Sequence, residues 1–207
     1  MPLCLRLAAR ILLQAWLLQE RSMRMRYREI GVCGLSCRLC PSYHAQTQSR
    51  CSGCKGEQRM FVGCPFITCA VKRKGLEFCW DCEENATCVR WKKHRGFGRR
   101  HDTFVCYQKL EDNISAILKR GVAEFEKNQK VRERLLKDAL DTFNEGRSRT
   151  YYSVAATVLE VDELKRALAQ AAKDSSGLGV RGRSRVLHSI LDQIAQRNGY
   201  CLKLRRP

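Results

Sequence analysis

The hydrophobic positions divide the chain into two parts of different character. From about residue 103 onward, apolar residues recur three and four positions apart, which is the spacing of a helix with one buried face. The segments with such a stripe are 104–119, 122–143, 162–173 and 184–197. Before them this periodicity is weak, and glycines, polar loops and cysteines dominate. The pattern therefore predicts an irregular first half and a helical second half.

The helical part is expected to form a bundle of about four helices, with the apolar stripes facing inward. Segment 146–161 starts as a turn and continues as either helix or strand. Asp162 is a candidate cap for the helix that follows, and SSGLG at 175–179 predicts a turn. Apolar and polar residues alternate in YCLKL at 200–204, which predicts a short terminal strand. The residues expected on the buried faces are Leu110, Ile114, Ile117, Leu118, Val131, Leu135, Leu136, Ala139, Leu140, Phe143, Leu164, Ala167, Leu168, Ala171, Leu187, Ile190, Leu191 and Ile194.

Residues 1–22 have an amphipathic pattern, with arginines on one helical face and leucines nearer the opposite one. Three interpretations are open: an extension upstream of a start at Met23 or Met25, an interfacial helix, or a targeting peptide. The extension is favoured. No run of the chain reaches the roughly 18 apolar residues that a membrane span needs. The expected divisions are thus an N-terminal extension at 1–26, a cysteine-rich module at 27–106 and a helical domain at 107–207.

The cysteines carry the chemistry of the first half. The chain has 13 cysteines, and most of them occur in closely spaced pairs. A short CxxC pair places two sulfurs on one turn, where a single metal ion can bind both. The predicted metal ligands are Cys33, Cys37, Cys40, Cys51, Cys54, Cys64, Cys69, Cys79, Cys82 and Cys88.

Ten thiolates are enough for two closed tetrahedral zinc sites. One natural set is Cys37, Cys40, Cys51 and Cys54, and another is Cys69, Cys79, Cys82 and Cys88. Interleaved pairing is equally allowed by the spacing. Filled four-thiolate sites leave no position open for a substrate, which favours a structural role over catalysis.

Other uses of the thiols are open. Disulfides are disfavoured, because the cysteine number is odd and repeated CxxC pairs suit a metal in a reducing cytoplasm. An iron–sulfur cluster is the main alternative to zinc, since CGLSCRLC has the C-x3-C-x2-C spacing of radical S-adenosylmethionine enzymes. Such enzymes need a strand–helix barrel, and the pattern of this sequence does not predict one. Cys106 and Cys201 are expected to be buried structural thiols, and His44 and His94 surface residues.

The chain is strongly basic, with a formal net charge of +18, which favours polyanionic partners. The stretch RWKKHRGFGRRH at 90–101 has no acidic residue and interleaves two aromatic rings with its cations. That combination is typical of single-stranded nucleic-acid surfaces, although a solvated charged face is favoured here. The candidate nucleic-acid contacts are Arg90, Trp91, Lys92, Lys93, Arg95, Arg99 and Arg100.

Four motifs resemble a known family: CGLSCRLCPSYHA, RCSGCKG, CPFITCAVKRKG and CWDCEENATC. They are similar to the cysteine-rich family catalogued as domain of unknown function 3795, found in archaea and anaerobic bacteria. The resemblance covers about residues 30–92, and NEGRSRTYYSVAAT with VLHSILDQIA resembles a helical C-terminal extension of some members. It implies metal binding, usually of zinc, by the ten cysteines named above, and it implies no reaction.

The sequence as a whole predicts a mainly α-helical cytoplasmic protein with a small irregular metal-binding module. Its expected function is to bind zinc at two sites, as a structural module that contacts a protein partner not identifiable from the sequence. Two alternatives are a nucleic-acid-binding protein that uses 90–101 and an iron–sulfur redox protein or enzyme.

Overall fold

A computed structural model describes residues 25–48 and 50–207, and within them the protein is mainly helical, as predicted. The expectations for residues 1–22 lie outside this part of the chain. The α-helices are α1 (Glu57–Val62), α2 (Val89–Arg100), α3 (Leu110–Arg120), α4 (Val122–Phe143), α5 (Arg149–Val158), α6 (Val161–Asp174) and α7 (Val180–Arg197). Short 3-10 turns lie at Cys37–Leu39 and Cys79–Asp81, and a π-helical turn at Ile67–Arg73. Among these described helices, none is long and apolar enough to cross a membrane.

The helical region is organised around α4, which packs against α5, α6 and α7. Its bounds, Val122–Phe143, coincide with the predicted segment. The helices meet in one apolar core that includes Leu136, Tyr152, Leu164 and Leu187, each at most 2% exposed. Burial of such side chains is the main stabilising contribution to a bundle of this kind.

The sequence of segment 146–161 is compatible with either a helix or a strand. In the structure, this segment forms the helix α5. Tyr152, Val154, Ala155 and Val158 are all at most 1% exposed. The segment is therefore buried on several sides, which removes the one-sided stripe that identifies an amphipathic helix.

Several local predictions were wrong. Helix α3 begins at Leu110, and its Leu118 is 65% exposed instead of buried. The cap of α6 is Glu160, whose side chain forms a reciprocal capping box with Glu163, so Asp162 lies inside the first turn. In the described chain, residues 200–204 form no strand.

The cysteine-rich part and the helical part share apolar clusters. Leu35 and Trp91 pack with Leu110 and Ile114 of α3. Leu39, next to Cys40 in the chain, lies in the core formed by the C-terminal helices. The loops that carry the cysteines are thus positioned from one side by α3 and α4.

Candidate metal centre

The first cysteine group comprises Cys37, Cys40, Cys51 and Cys54. Cys37 begins a 3-10 turn and Cys40 follows it, with the amide of Cys40 bonded to the carbonyl of Cys37 at 3.0 Å. The amide of Cys54 donates to the sulfur of Cys37 at 3.1 Å. Burial raises the pKa of Cys40, and the nearby charges of Cys54 and Cys51 raise it further. Members of both CxxC pairs therefore influence one another electrostatically.

Gly53 allows the two pairs to approach. Its φ of 98° lies in the left-handed region that side-chain-bearing residues rarely adopt. A Cβ at this position would stand 3.8 Å from both the Cβ and the sulfur of Cys37. The glycine inside CSGC therefore turns the chain beside the first pair without adding bulk there.

The second cysteine group comprises Cys69, Cys79, Cys82 and Cys88. All four line one small cavity of about 50 Å³. The π-helical turn, the 3-10 turn at Cys79–Asp81 and the start of α2 each contribute to its wall. Burial raises the pKa of Cys79 to about 12, and the charges of the other three thiols, together with Cys64, contribute to the rise.

Cys33 lies between the two groups. Burial raises its pKa to about 12, with further contributions from Cys54 on one side and from Cys64 and Cys79 on the other. The sulfurs of Cys33 and Cys54 stand 3.6 and 3.9 Å from the place that a Cβ on Gly31 would occupy. Cys33 and Cys64 are therefore the residues through which the two groups adjoin.

The thiols lie near one another, but they do not form a complete coordination shell. Across residues 25–48 and 50–207, no three cysteine, histidine, aspartate or glutamate side chains converge closely enough to hold an ion. The twelve cysteines in this part of the chain are all free thiols. The donor set nevertheless fits a soft divalent ion, because thiolate sulfur is the ligand that zinc and iron–sulfur clusters share.

Two lysines that the sequence analysis did not single out accompany the thiols. Lys55 follows CSGC directly, is 0% exposed, and bonds to Glu77 at 2.9 Å. Burial lowers its pKa, while Glu77 and the thiolates of Cys37 and Cys54 act in the opposite direction. In the second group, Lys74 Nζ lies 3.2 Å from the sulfur of Cys82. Each group thus has a cation near its sulfurs, which favours the charged thiolate form.

For the remaining cysteines and histidines, one prediction is confirmed and the others are wrong. Cys106 is buried, as predicted, but Cys201 is exposed. His44 and His94 are half-buried instead of lying on the surface. His44 Nε2 is 2.6 Å from the carbonyl of Arg38, and His94 packs against the rings of Phe66 and Trp91.

The basic stretch forms most of α2, and its residues have different environments. Trp91 is 3% exposed and belongs to the core, so it is not available to stack on a base as the sequence suggested. Arg95 pairs with Glu111, and Arg90 donates to the carbonyl of Pro65. The other four cations are exposed, and none forms an ion pair within the described residues: Lys92, Lys93, Arg99 and Arg100.

Comparison with known proteins agrees with the sequence motifs. Residues 29–93 match the family described as "Protein of unknown function (DUF3795)", which confirms the predicted resemblance over that segment. The matched segment contains all ten predicted metal ligands and ends inside α2. No curated protein and no solved structure matches the chain.

Proposed function

We propose that the DUF3795 segment, residues 29–93, is a zinc module with two thiolate sites and a structural role. The observation that supports this best is that eight of its ten thiols lie in two groups of four, with Cys33 and Cys64 between the groups. The amide of Cys54 donates to the sulfur of Cys37, and the charges of Cys51 and Cys54 both act on Cys40. Cys69, Cys79, Cys82 and Cys88 share one cavity. Four thiolates are the complement of one closed tetrahedral zinc site.

Metal binding also accounts for the energetics of so many clustered thiols. Burial raises the pKa values of Cys33, Cys40 and Cys79, and repulsion from neighbouring thiolates raises them further. A divalent ion would replace this repulsion by coordination bonds and release the protons. Because the cysteine-rich segment contains little regular structure, metal binding contributes directly to its folding.

A structural module needs a surface for its partner. Helix α1 lies inside the family segment and carries Phe61 and Val62, which are 72% and 70% exposed. Neighbouring exposed apolar side chains of this size are a feature of protein-binding surfaces. We therefore assign the module to protein interaction, in a reducing compartment such as the cytoplasm, where thiols remain available to a metal.

Metal analysis tests the proposal against the iron–sulfur alternative, since both use the same ligands. The full chain is purified without oxygen, and its zinc, iron and acid-labile sulfide are measured with its visible spectrum. About two zinc ions per chain and no colour are expected. A brown protein with iron and sulfide would overturn the zinc assignment, and a folded protein without any metal would overturn metal binding itself.

A second candidate function is binding of nucleic acid by α2. The observation in its favour is that Lys92, Lys93, Arg99 and Arg100 are exposed on one helix and lack ion pairs in the described part of the chain. Such cations can neutralise phosphates without sequence preference. The buried Trp91 removes the stacking contact expected from the sequence, so contacts to the phosphate backbone would dominate.

A further inference from the structure

Lys74 connects two segments that each carry a predicted ligand of the second cysteine group. It directly follows the π-helical turn Ile67–Arg73, which contains Cys69. The backbone amide of Lys74 donates to the carbonyl of Cys69 at 3.1 Å, and its side-chain Nζ lies 3.2 Å from the sulfur of Cys82. The backbone of Lys74 is therefore held by one ligand segment, while its ammonium group contacts the other.

The backbone immediately after Lys74 reverses direction and fixes this residue beside the thiols. Gly75 has a φ of 67°, in the left-handed region that side-chain-bearing residues rarely adopt. The reversal lets the amide of Leu76 donate to the carbonyl of Ala70 at 2.8 Å, which closes the end of the π-helical turn. At this fixed position, Lys74 lines the cavity of about 50 Å³ that the four cysteines of the second group share.

The ammonium group of Lys74 lies between a sulfur and a carboxylate. Besides contacting Cys82, it pairs with Glu84 Oε1 at 2.8 Å. The carbonyl of Glu84 in turn accepts a hydrogen bond from the amide of Cys88 at 2.9 Å. An ammonium group has three N–H donors, so it can donate to the sulfur and to the carboxylate at the same time. The ion pair with Glu84 therefore does not compete with the contact to sulfur.

The contact with Lys74 places a positive charge on an accessible sulfur of a negatively charged site. A divalent ion held by four thiolates has a net charge of about −2. Cys82 is half-buried between the exposed Asp81 and Glu83, so small reagents can approach its sulfur. A thiolate reacts through its sulfur lone pairs, and a charge-assisted hydrogen bond stabilises these lone pairs and lowers their reactivity. The Cys82 thiolate should therefore react more slowly than one without this hydrogen bond.

We propose that Lys74 is a positioning residue of the second zinc site, where it donates an N–H to the metal-bound thiolate of Cys82 and protects that sulfur from electrophiles. The inference rests on the proposed function, because it takes Cys82 as a ligand of the second ion. It adds a residue outside the ligand set that lowers the reactivity of the thiolates, as a structural role requires. Residues that hydrogen-bond to metal ligands commonly tune a site in this way.

The test measures how fast N-ethylmaleimide alkylates individual cysteines of the full-length zinc-loaded chain. Samples are quenched at intervals, and tandem mass spectrometry of their peptides gives the alkylation rates of Cys82 and, as an internal reference, of Cys40 in the first group. Lys74→Met keeps an unbranched side chain but removes the charge and the donors. We expect this variant to retain about two zinc ions per chain. Its Cys82 should be alkylated about three to ten times faster than in the parent, and Cys40 at an unchanged rate.

Three further variants separate a contact with sulfur from a purely structural link. Lys74→Arg keeps a cation with N–H donors and should restore most of the protection of Cys82. Glu84→Gln removes the charge of the other partner of Lys74 but leaves the contact to sulfur, so Cys82 should react as slowly as in the parent. Lys93→Met, at an exposed position of α2, is the matched control for the loss of one positive charge and should also react as the parent does.

Several outcomes would overturn the inference. One is alkylation of Cys82 in Lys74→Met at the parent rate, and another is equal acceleration by Lys93→Met. Equal acceleration of Cys69, Cys79 and Cys82, with Lys74→Arg giving no rescue, would show that Lys74 only holds the segments together. Zinc content measured on the same samples separates the two proposals. A zinc-free parent would overturn the proposed function and this inference with it, whereas a zinc-loaded parent with any of the earlier outcomes would overturn this inference alone.

Discussion

The backbone amide of Cys54 donates a hydrogen bond to the sulfur of Cys37 over 3.1 Å. This contact links CRLC to CSGC across 17 positions of the chain. A hydrogen bond to sulfur favours the thiolate, which is the form that binds metal. It therefore supports the assignment of both residues to the same proposed zinc site.

Removing one ligand from each group should remove one ion at a time. We expect Cys54→Ser and Cys82→Ser each to lower zinc content from about two ions per chain to about one, and the double variant to bind almost none. Atomic absorption on purified protein measures this. Cys201→Ser is the control, because Cys201 is an exposed thiol outside both groups.

Interleaved sites would give a different result. If each ion took ligands from both groups, either single substitution would disturb both ions, and zinc content would fall below one per chain. A parent-like zinc content in Cys54→Ser would remove that residue from the ligand set.

Arg38 connects the first cysteine group to α4. Its guanidinium donates to Glu133 at 2.7 Å and to Glu29 and Glu126 at 3.2 Å. Arg38→Lys should lower the free energy of unfolding by about 2–3 kcal/mol, because an ammonium group cannot reproduce the planar fork that reaches three carboxylates. Urea unfolding followed by circular dichroism measures the change.

The control for Arg38→Lys is Arg134→Lys on the exposed face of α4. This substitution should change the free energy of unfolding by less than about 0.5 kcal/mol. Equal effects of the two substitutions would show that the three glutamates do not depend on the arginine fork.

Asp102, just after the end of α2, binds the C-terminal segment through hydrogen bonds. Its carboxylate accepts hydrogen bonds from the amide of Arg205 at 2.8 Å, from Arg205 Nε at 3.0 Å and from the amide of Tyr107 at 2.6 Å. Asp102→Asn should lower the free energy of unfolding by about 2–3 kcal/mol at pH 7, as expected when a buried ion pair loses one charge. Asp138→Asn, at an exposed position of α4, is the control.

The effect of Asp102→Asn should depend on pH. Burial by itself raises the pKa of Asp102, but the hydrogen bonds from Arg205 and Tyr107 outweigh burial and lower the pKa below its usual range. The stabilisation is therefore complete above the unfolded pKa of about 3.9 and is lost as the pH falls through the folded pKa. Parent and variant should differ at pH 7 and converge in acid. A difference that stays constant down to low pH would contradict this assignment.

Nucleic-acid binding by α2 should be electrostatic. We expect Lys92→Gln/Lys93→Gln to weaken binding of single-stranded poly(U) and to reduce the slope of log affinity against log salt by about 1.4, the value for two phosphate contacts. Fluorescence anisotropy at several salt concentrations measures both quantities. Lys119→Gln/Lys127→Gln, which removes two exposed cations from α3 and α4, is the control. Binding that is insensitive to salt would exclude this function.

The sequence by itself determined the features that depend on local spacing. The stripe in 122–143 predicted α4 at its observed bounds, because a helix with one buried face repeats its apolar positions every three to four residues. The CxxC pairs and their flanking residues likewise predicted the family segment that the comparison confirms. Both features depend on residues that are neighbours in the sequence, so they can be predicted without knowing which distant residues are in contact.

The tertiary structure decided which residues far apart in the chain lie close together. Trp91 is buried against α3, although the composition of the segment 90–101 suggested that this ring lies on the surface. Leu118 and Cys201 are exposed, although both were predicted to be buried. The tertiary structure also brought Cys69, Cys79, Cys82 and Cys88 to one cavity. Burial and proximity of this kind depend on how separate elements pack, and local periodicity contains no information about that packing.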